Sequence, residues 1–141
     1  MPYSYIEHIS DIGIKASAPT LQEAFEAGAE AMLNVMFDLG TIDEAGSVPI
    51  NAEAGDIALL FVEVLNEVLS IQGRDGLALK RLKTREIKDT GAGFAYCGEA
   101  FGEGFDPEKH AVKTEVKGAT YSGLQYTEAW NEYTLQCILD V

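Results

Sequence analysis

Cysteine is nearly absent from this sequence: Cys97 and Cys137 are the only two, far apart and without a CxxC spacing. That excludes a disulfide framework and a thiolate metal centre, and leaves two free thiols packed as small hydrophobes in strand-like segments. Histidine is equally scarce, with only His8 and His110, so no HExxH zinc helix can form. Basic residues are few, 10 Lys and Arg against 23 Asp and Glu, for a formal net charge of -13. A phosphate backbone is repelled by such a surface, because affinity for nucleic acid comes largely from cations that neutralise phosphates. Acidity of this size serves solubility, cation binding or docking on a basic protein face. No apolar run approaches the ~18 residues needed to span a bilayer. Met1 to Ile6 lacks the basic segment and apolar run of a signal peptide, so the expectation is a cytoplasmic protein.

The usual catalytic signatures are missing as well. Gly91-Ala92-Gly93 is followed by a strand pattern rather than by the Lys and Ser/Thr of a phosphate loop. No GxSxG elbow is present, and neither cysteine has local support as a nucleophile. The expectation is a protein that is not an enzyme.

What the chain does have is the material for a core. It is 141 residues long and 47% hydrophobic, with 14 glycines and 4 prolines. One domain of this length buries roughly two thirds of its unfolded surface without staples, so residues 1–141 are read as a single domain. Tyr3, Tyr5 and Ile6 mark a first strand, and Ile12, Ile14 and Ala16 alternate through a second. Thr20 with Glu23 forms a capping box for a helix running to about Phe37, with Gly40 as its stop. Val48 to Asn51 is a short strand or a connector. Asp56 caps a second helix, where Ile57, Leu60, Phe61, Val64, Leu65, Val68 and Leu69 repeat at three and four residues and Asn66 and Glu67 fall on the polar side. Gln72 to Gly76 closes it. Strands are expected over Leu77 to Lys88, Phe94 to Phe101, Val112 to Ala119, Tyr121 to Tyr126 and Glu132 to Val141, with a turn over Asp106 to His110. In the last strand Tyr133, Leu135, Cys137, Leu139 and Val141 share one face. Two helices among runs of strands, without strict βαβ alternation, predict an α+β fold: a two-layer domain with two amphipathic helices on a mixed or antiparallel sheet.

Carboxylates stand out by position. Asp11 lies at a strand end, Asp140 is the penultimate residue, and Val141 adds a main-chain carboxylate. If those strand ends meet, about three negative charges converge and call for a hard cation; oxygen donors suit calcium or magnesium better than zinc. The alternative is that Asp11 caps a turn and Asp140 is solvated. Lys117 either balances such a cluster, contacts a partner's acidic group, or points to water. His8 and His110 read as turn hydrogen-bonders, and Trp130 as a core or edge anchor.

The motifs also occur in a recognisable order. His-x-x-Asp-Ile-Gly runs from His8 to Gly13, Leu-x-Glu-Ala-Phe from Leu21 to Phe25, and Leu-Asn-Glu from Leu65 to Glu67 behind Asp56. Glu-Val-Lys-x-x-Thr-Tyr spans Glu115 to Tyr121 after Lys109-His110, and the chain ends Asp140-Val141. Together they resemble the archease family across essentially the whole chain. Ser10 stands where a small apolar residue is common, and Gly118 where alanine is frequent; the ligand types are unaffected. The resemblance implies an α+β fold and a divalent-metal site of Asp11, Asp140 and Val141, with calcium the first expectation and magnesium or manganese the alternatives. It further implies a required Lys117, with His8 as a second residue of that kind. Members of the family promote guanylylation and multiple turnover of an RtcB-type tRNA-splicing RNA ligase. Its alternatives are a chaperone-like role toward a tRNA methyltransferase and, from another class, a stand-alone metal-dependent phosphoesterase.

Overall fold

The computed structural model describes residues 2–7 and 11–141. Strands β1 (Tyr3–Glu7) and β2 (Asp11–Ala18) lead into helix α1 (Leu21–Met36), then β3 (Gly46–Ala54), helix α2 (Ile57–Asp75), β4 (Leu77–Asp89), β5 (Phe94–Gly104), β6 (Gly118–Ala129) and β7 (Glu132–Asp140). Every strand pairing is antiparallel. The α+β class is as the sequence predicts, but the strands divide into two sheets rather than one. Four strands run in the order β1-β2-β7-β6 and three in the order β3-β5-β4. Each helix packs on both sheets, α1 against β2 and β4, α2 against β3 and β6.

Local chemistry explains the helix starts. Thr20 accepts from the Glu23 N–H at 3.1 Å and Asp56 accepts from the Leu59 N–H at 2.8 Å, each satisfying an orphan amide of the first turn. Gly76, in the left-handed region at φ 63°, closes α2. Gly40 is not the stop of α1. The helix ends earlier, where Phe37 turns extended and bridges to Val112.

Residues 112–117 are a strap and not the expected strand. Their polar groups face the last turn of α1: Lys113 N–H donates to Met36 O (2.8 Å), Thr114 N–H to Val35 O (3.2 Å), and the Lys113 ammonium to Asn34 O. The strap thus caps carbonyls that a helix C-terminus leaves unsatisfied. Residues 48–51, undecided between strand and connector, lie within the nine-residue strand β3.

The core lies where the helices meet the sheets. Phe25 of α1 sits edge-on to Phe61 of α2 at 5.5 Å and stacks on Tyr96 of β5 at 5.7 Å. Leu135, Cys137 and Leu139 of β7 are fully buried against them, on the face the alternation assigned. Trp130 is no core anchor: it is 93% exposed in the turn between β6 and β7.

Candidate functional site

The antiparallel pairing of β2 with β7 fixes the place of the two aspartates. Their register runs from Ala18 opposite Tyr133 to Asp11 opposite Asp140. Core residues alternate along both strands, so Ile14 pairs with Cys137 inside and Ser17 with Thr134 outside, the two hydroxyls 2.9 Å apart. Asp11 and Asp140 fall on the outer face, directly across from each other. Side chains so placed have Cβ atoms about 5 Å apart, and like charges there are destabilising.

One oxygen of that pair lacks a partner. Oδ1 of Asp11 is buried and accepts no hydrogen bond, the one such side-chain atom among the described residues. A buried carboxylate oxygen without a donor is costly, and a hard cation is the partner its chemistry accepts. Among the described residues no three His, Cys, Asp or Glu side chains converge. An ion at Asp11 and Asp140 therefore needs main-chain oxygens too, and Val141, half-buried and next to Asp140, has them.

Lys117 comes to the same end of the sheet. Gly118 of β6 pairs with Asp140, and the Lys117 N–H donates to Asp140 O at 2.7 Å. The lysine is exposed. Its neighbour two residues on is held from the other side: Asn66 of α2 donates from Nδ2 to Ala119 O (3.0 Å) and accepts from Ala119 N–H (2.8 Å). Asn66 thereby pins the segment that carries Lys117. The sequence put Asn66 on the polar side of its helix but gave it no role; the Leu-Asn-Glu match was the only signal.

Beside Lys117 lies an apolar groove of about 670 Å³. Leu69 and Leu77 line it with Phe105, Val112 and Val116, and Lys117 and Glu115 are the charged residues of its wall. Its Phe105 side rests on a second polar cluster that the sequence reading treated only as a turn. His110, fully buried in its side chain, accepts from the Asp106 N–H at Nδ1 (2.9 Å), so Nε2 carries the proton and donates to Glu103 at 2.8 Å. Glu103 also accepts from the Asp43 N–H and from Lys109. The Asp43 amide, the lysine and the histidine, in that order, hold its carboxyl down to about 2. His110 is thus the turn hydrogen-bonder the sequence suggested. His8 lies outside the described residues.

Comparison with known proteins gives the family. The Archease protein family matches residues 3–141.

The chain belongs to the archease family.

A protein archease of Pyrococcus furiosus is 36% identical over 123 residues, covering 87% of this chain and 86% of that protein. The solution structure of protein 1598 of Methanobacterium thermoautotrophicum superposes with a TM-score of 0.85 at 26% identity, covering 99% of both chains. An archease of Thermotoga maritima, described as a possible chaperone, has a TM-score of 0.56 at 20% identity over 96% of this chain and 94% of its own, a likeness of fold alone. No helix of this archease family member, among the described residues, is long and apolar enough to cross a membrane.

Proposed function

We propose that this chain is an accessory protein that activates an RtcB-type RNA ligase of tRNA splicing, promoting its guanylylation and multiple turnover. Membership of the archease family supports the accessory role. The observation that carries the site is the cross-strand pairing of Asp11 with Asp140, with a buried Asp11 oxygen that has no hydrogen-bond partner.

In this reading Asp11, Asp140 and the main-chain oxygens of Val141 hold a divalent cation, calcium first and magnesium or manganese as alternatives. Bound there, the ion supplies positive charge for phosphate oxygens of the partner's nucleotide. The chain's own residues do the positioning. The β2–β7 ladder sets the carboxylates opposite each other, and Asn66 and Asp140 grip the backbone on either side of Lys117. Its exposed ammonium, without an ion-pair partner among the described residues, would meet an anionic group of the partner, with the apolar groove beside it to receive the partner's surface.

The test is ligase–guanylate formation from GTP by the RtcB-type ligase of the same organism, with and without this protein. Stimulation is expected from the wild type. Asp11→Asn and Asp140→Asn should lose it while keeping the wild-type circular dichroism spectrum, and both should lose calcium binding by calorimetry. Normal stimulation by both variants would end the reading. Phosphoester turnover by the metal-loaded protein alone would replace it with the hydrolase alternative.

A further inference from the structure

Trp130 is the chain's single tryptophan and is 93% exposed. A large aromatic held in water at the tip of a paired hairpin contributes nothing to the fold that solvent does not oppose. Aromatic residues in such positions are the side chains that dominate protein–protein interfaces. The turn is well defined: Ala129 pairs with Glu132, and Asn131 takes the left-handed conformation at φ 59°. The backbone that carries the tryptophan is therefore in a defined conformation.

A cleft of about 560 Å³ opens beside the turn end of the same hairpin. Tyr126 and Tyr133 line it from β6 and β7, Phe94 from β5 and Leu21 from α1, and Glu128 stands at its rim. Tyr126 donates its hydroxyl to Glu128 at 2.7 Å, and among the described residues the second carboxylate oxygen has no such bond. Among the described residues no Lys or Arg lines the wall. Glu128 and Glu132 flank Trp130 on either strand. The surface is thus aromatic and acidic, with nothing to neutralise a cation-seeking face except what arrives from outside. Guanidinium and ammonium groups stack on such rings and pair with such carboxylates, whereas phosphate is repelled.

We propose that the β6–β7 hairpin end is a second docking site, where Trp130 and the Tyr126–Tyr133 cleft receive a segment of the partner protein carrying Arg or Lys beside an apolar side chain. The inference rests on the ligase reading for the partner's identity, but not for the chemistry of the surface. Glu132 and Asp140 are the first and last of the nine residues of β7, about 26 Å apart at ~3.3 Å per step. The partner is held at one end of the sheet while the carboxylates act at the other. Affinity and stimulation are separable as a result.

The experiment titrates the ligase with wild type, Trp130→Ala, Glu128→Lys and Asp140→Asn, reading affinity by calorimetry and guanylylation at saturation. Trp130 is 93% exposed, so Trp130→Ala should keep the wild-type circular dichroism spectrum. It should raise Kd about 10- to 30-fold while keeping full stimulation at saturating protein. Glu128→Lys should weaken binding in the same direction and flatten its salt dependence. Asp140→Asn should bind normally and fail to stimulate. With 5-fluorotryptophan at position 130, the fluorine resonance should shift on complex formation. Trp130→Ala binding as tightly as wild type overturns this docking site and leaves the ligase reading standing. Wild type forming no complex overturns both. Self-association of the wild type that Trp130→Ala abolishes would assign the surface to a second copy of this chain and also overturn the proposal.

Discussion

Asn66 shows how one polar side chain is read differently at the level of sequence and of structure. In the helix it is merely a polar position next to Glu67; in the fold it replaces a strand neighbour for Ala119, matching both its N–H and its C=O. Removing a partner from a part-buried backbone group costs about 1–3 kcal/mol, more than the net worth of the bond itself. Asn66→Ala should lower stability by about 2 kcal/mol in urea unfolding and, by loosening the backbone beside Lys117, reduce ligase stimulation beyond what the stability loss explains. Glu103 makes the complementary case for charge. Its folded carboxyl titrates at about 2, below the ordinary 4.5 of an unfolded glutamate. A lowered folded value means the unfolded chain binds more protons, so the contribution is present above pH ~4.5 and is lost as pH falls toward 2. A thermal melt series from pH 7 to pH 2 should fall through that window, and Glu103→Gln should flatten the fall while lowering stability at pH 7. Cys137 is inert by contrast, its thiol pushed up to about 12 by burial.

At the scale of elements, what the sequence made legible was local. The Thr20 cap, the Asp56 cap and the Gly76 close are each written within four residues, and all three stand in the fold. The Glu23 carboxylate, however, accepts from the Thr20 hydroxyl rather than from its N–H, so only half of the expected capping box forms. The alternating face of β7 was equally plain. What was not legible was decided by distant residues. The end of α1 is set by Phe37 meeting Val112, and the strap at 112–117 gives its amides to helix carbonyls, so an alternating pattern became an irregular segment. The split into two sheets has no local signature, because each helix must first supply two apolar faces. The opposition of Asp11 and Asp140 was visible only through family resemblance, since spacing does not reveal which strands pair. Gly28 is a further element-scale lesson. It sits buried in α1, where helix propensity alone favours alanine by about 1 kcal/mol. A Cβ there would lie 2.4 Å from the Phe61 ring, itself wedged against Phe25. Overpacking of this kind costs about 1–3 kcal/mol, so Gly28→Ala should destabilise, and Gly28→Ala with Phe61→Leu should recover part of the loss. A rise in melting temperature for the single variant would mean α1 and α2 are free to move apart.

The whole molecule carries a formal charge of -13, and its compact state is opposed by its own field. Any salt screens that repulsion, so stabilisation by calcium alone would say little about a site. The paired aspartates sharpen the comparison, because they set two like charges directly across the ladder between the second and last strands. At matched ionic strength, calcium and sodium should differ by the site-specific part alone. That part is RT ln(1 + [L]/Kd), or about 2.7 kcal/mol at a hundredfold excess over Kd. For a chain of 141 residues it corresponds to a melting shift of roughly 8–10 °C. Asp140→Asn should reverse the order of the two proteins. With chelator present it removes a like-charge pair and should be more stable than wild type by about 0.2–1 kcal/mol; with calcium it should be the less stable. Equal melting shifts for wild type and variant would show that calcium acts only on the general field, and the ends of β2 and β7 would then be a charged edge rather than a cation site.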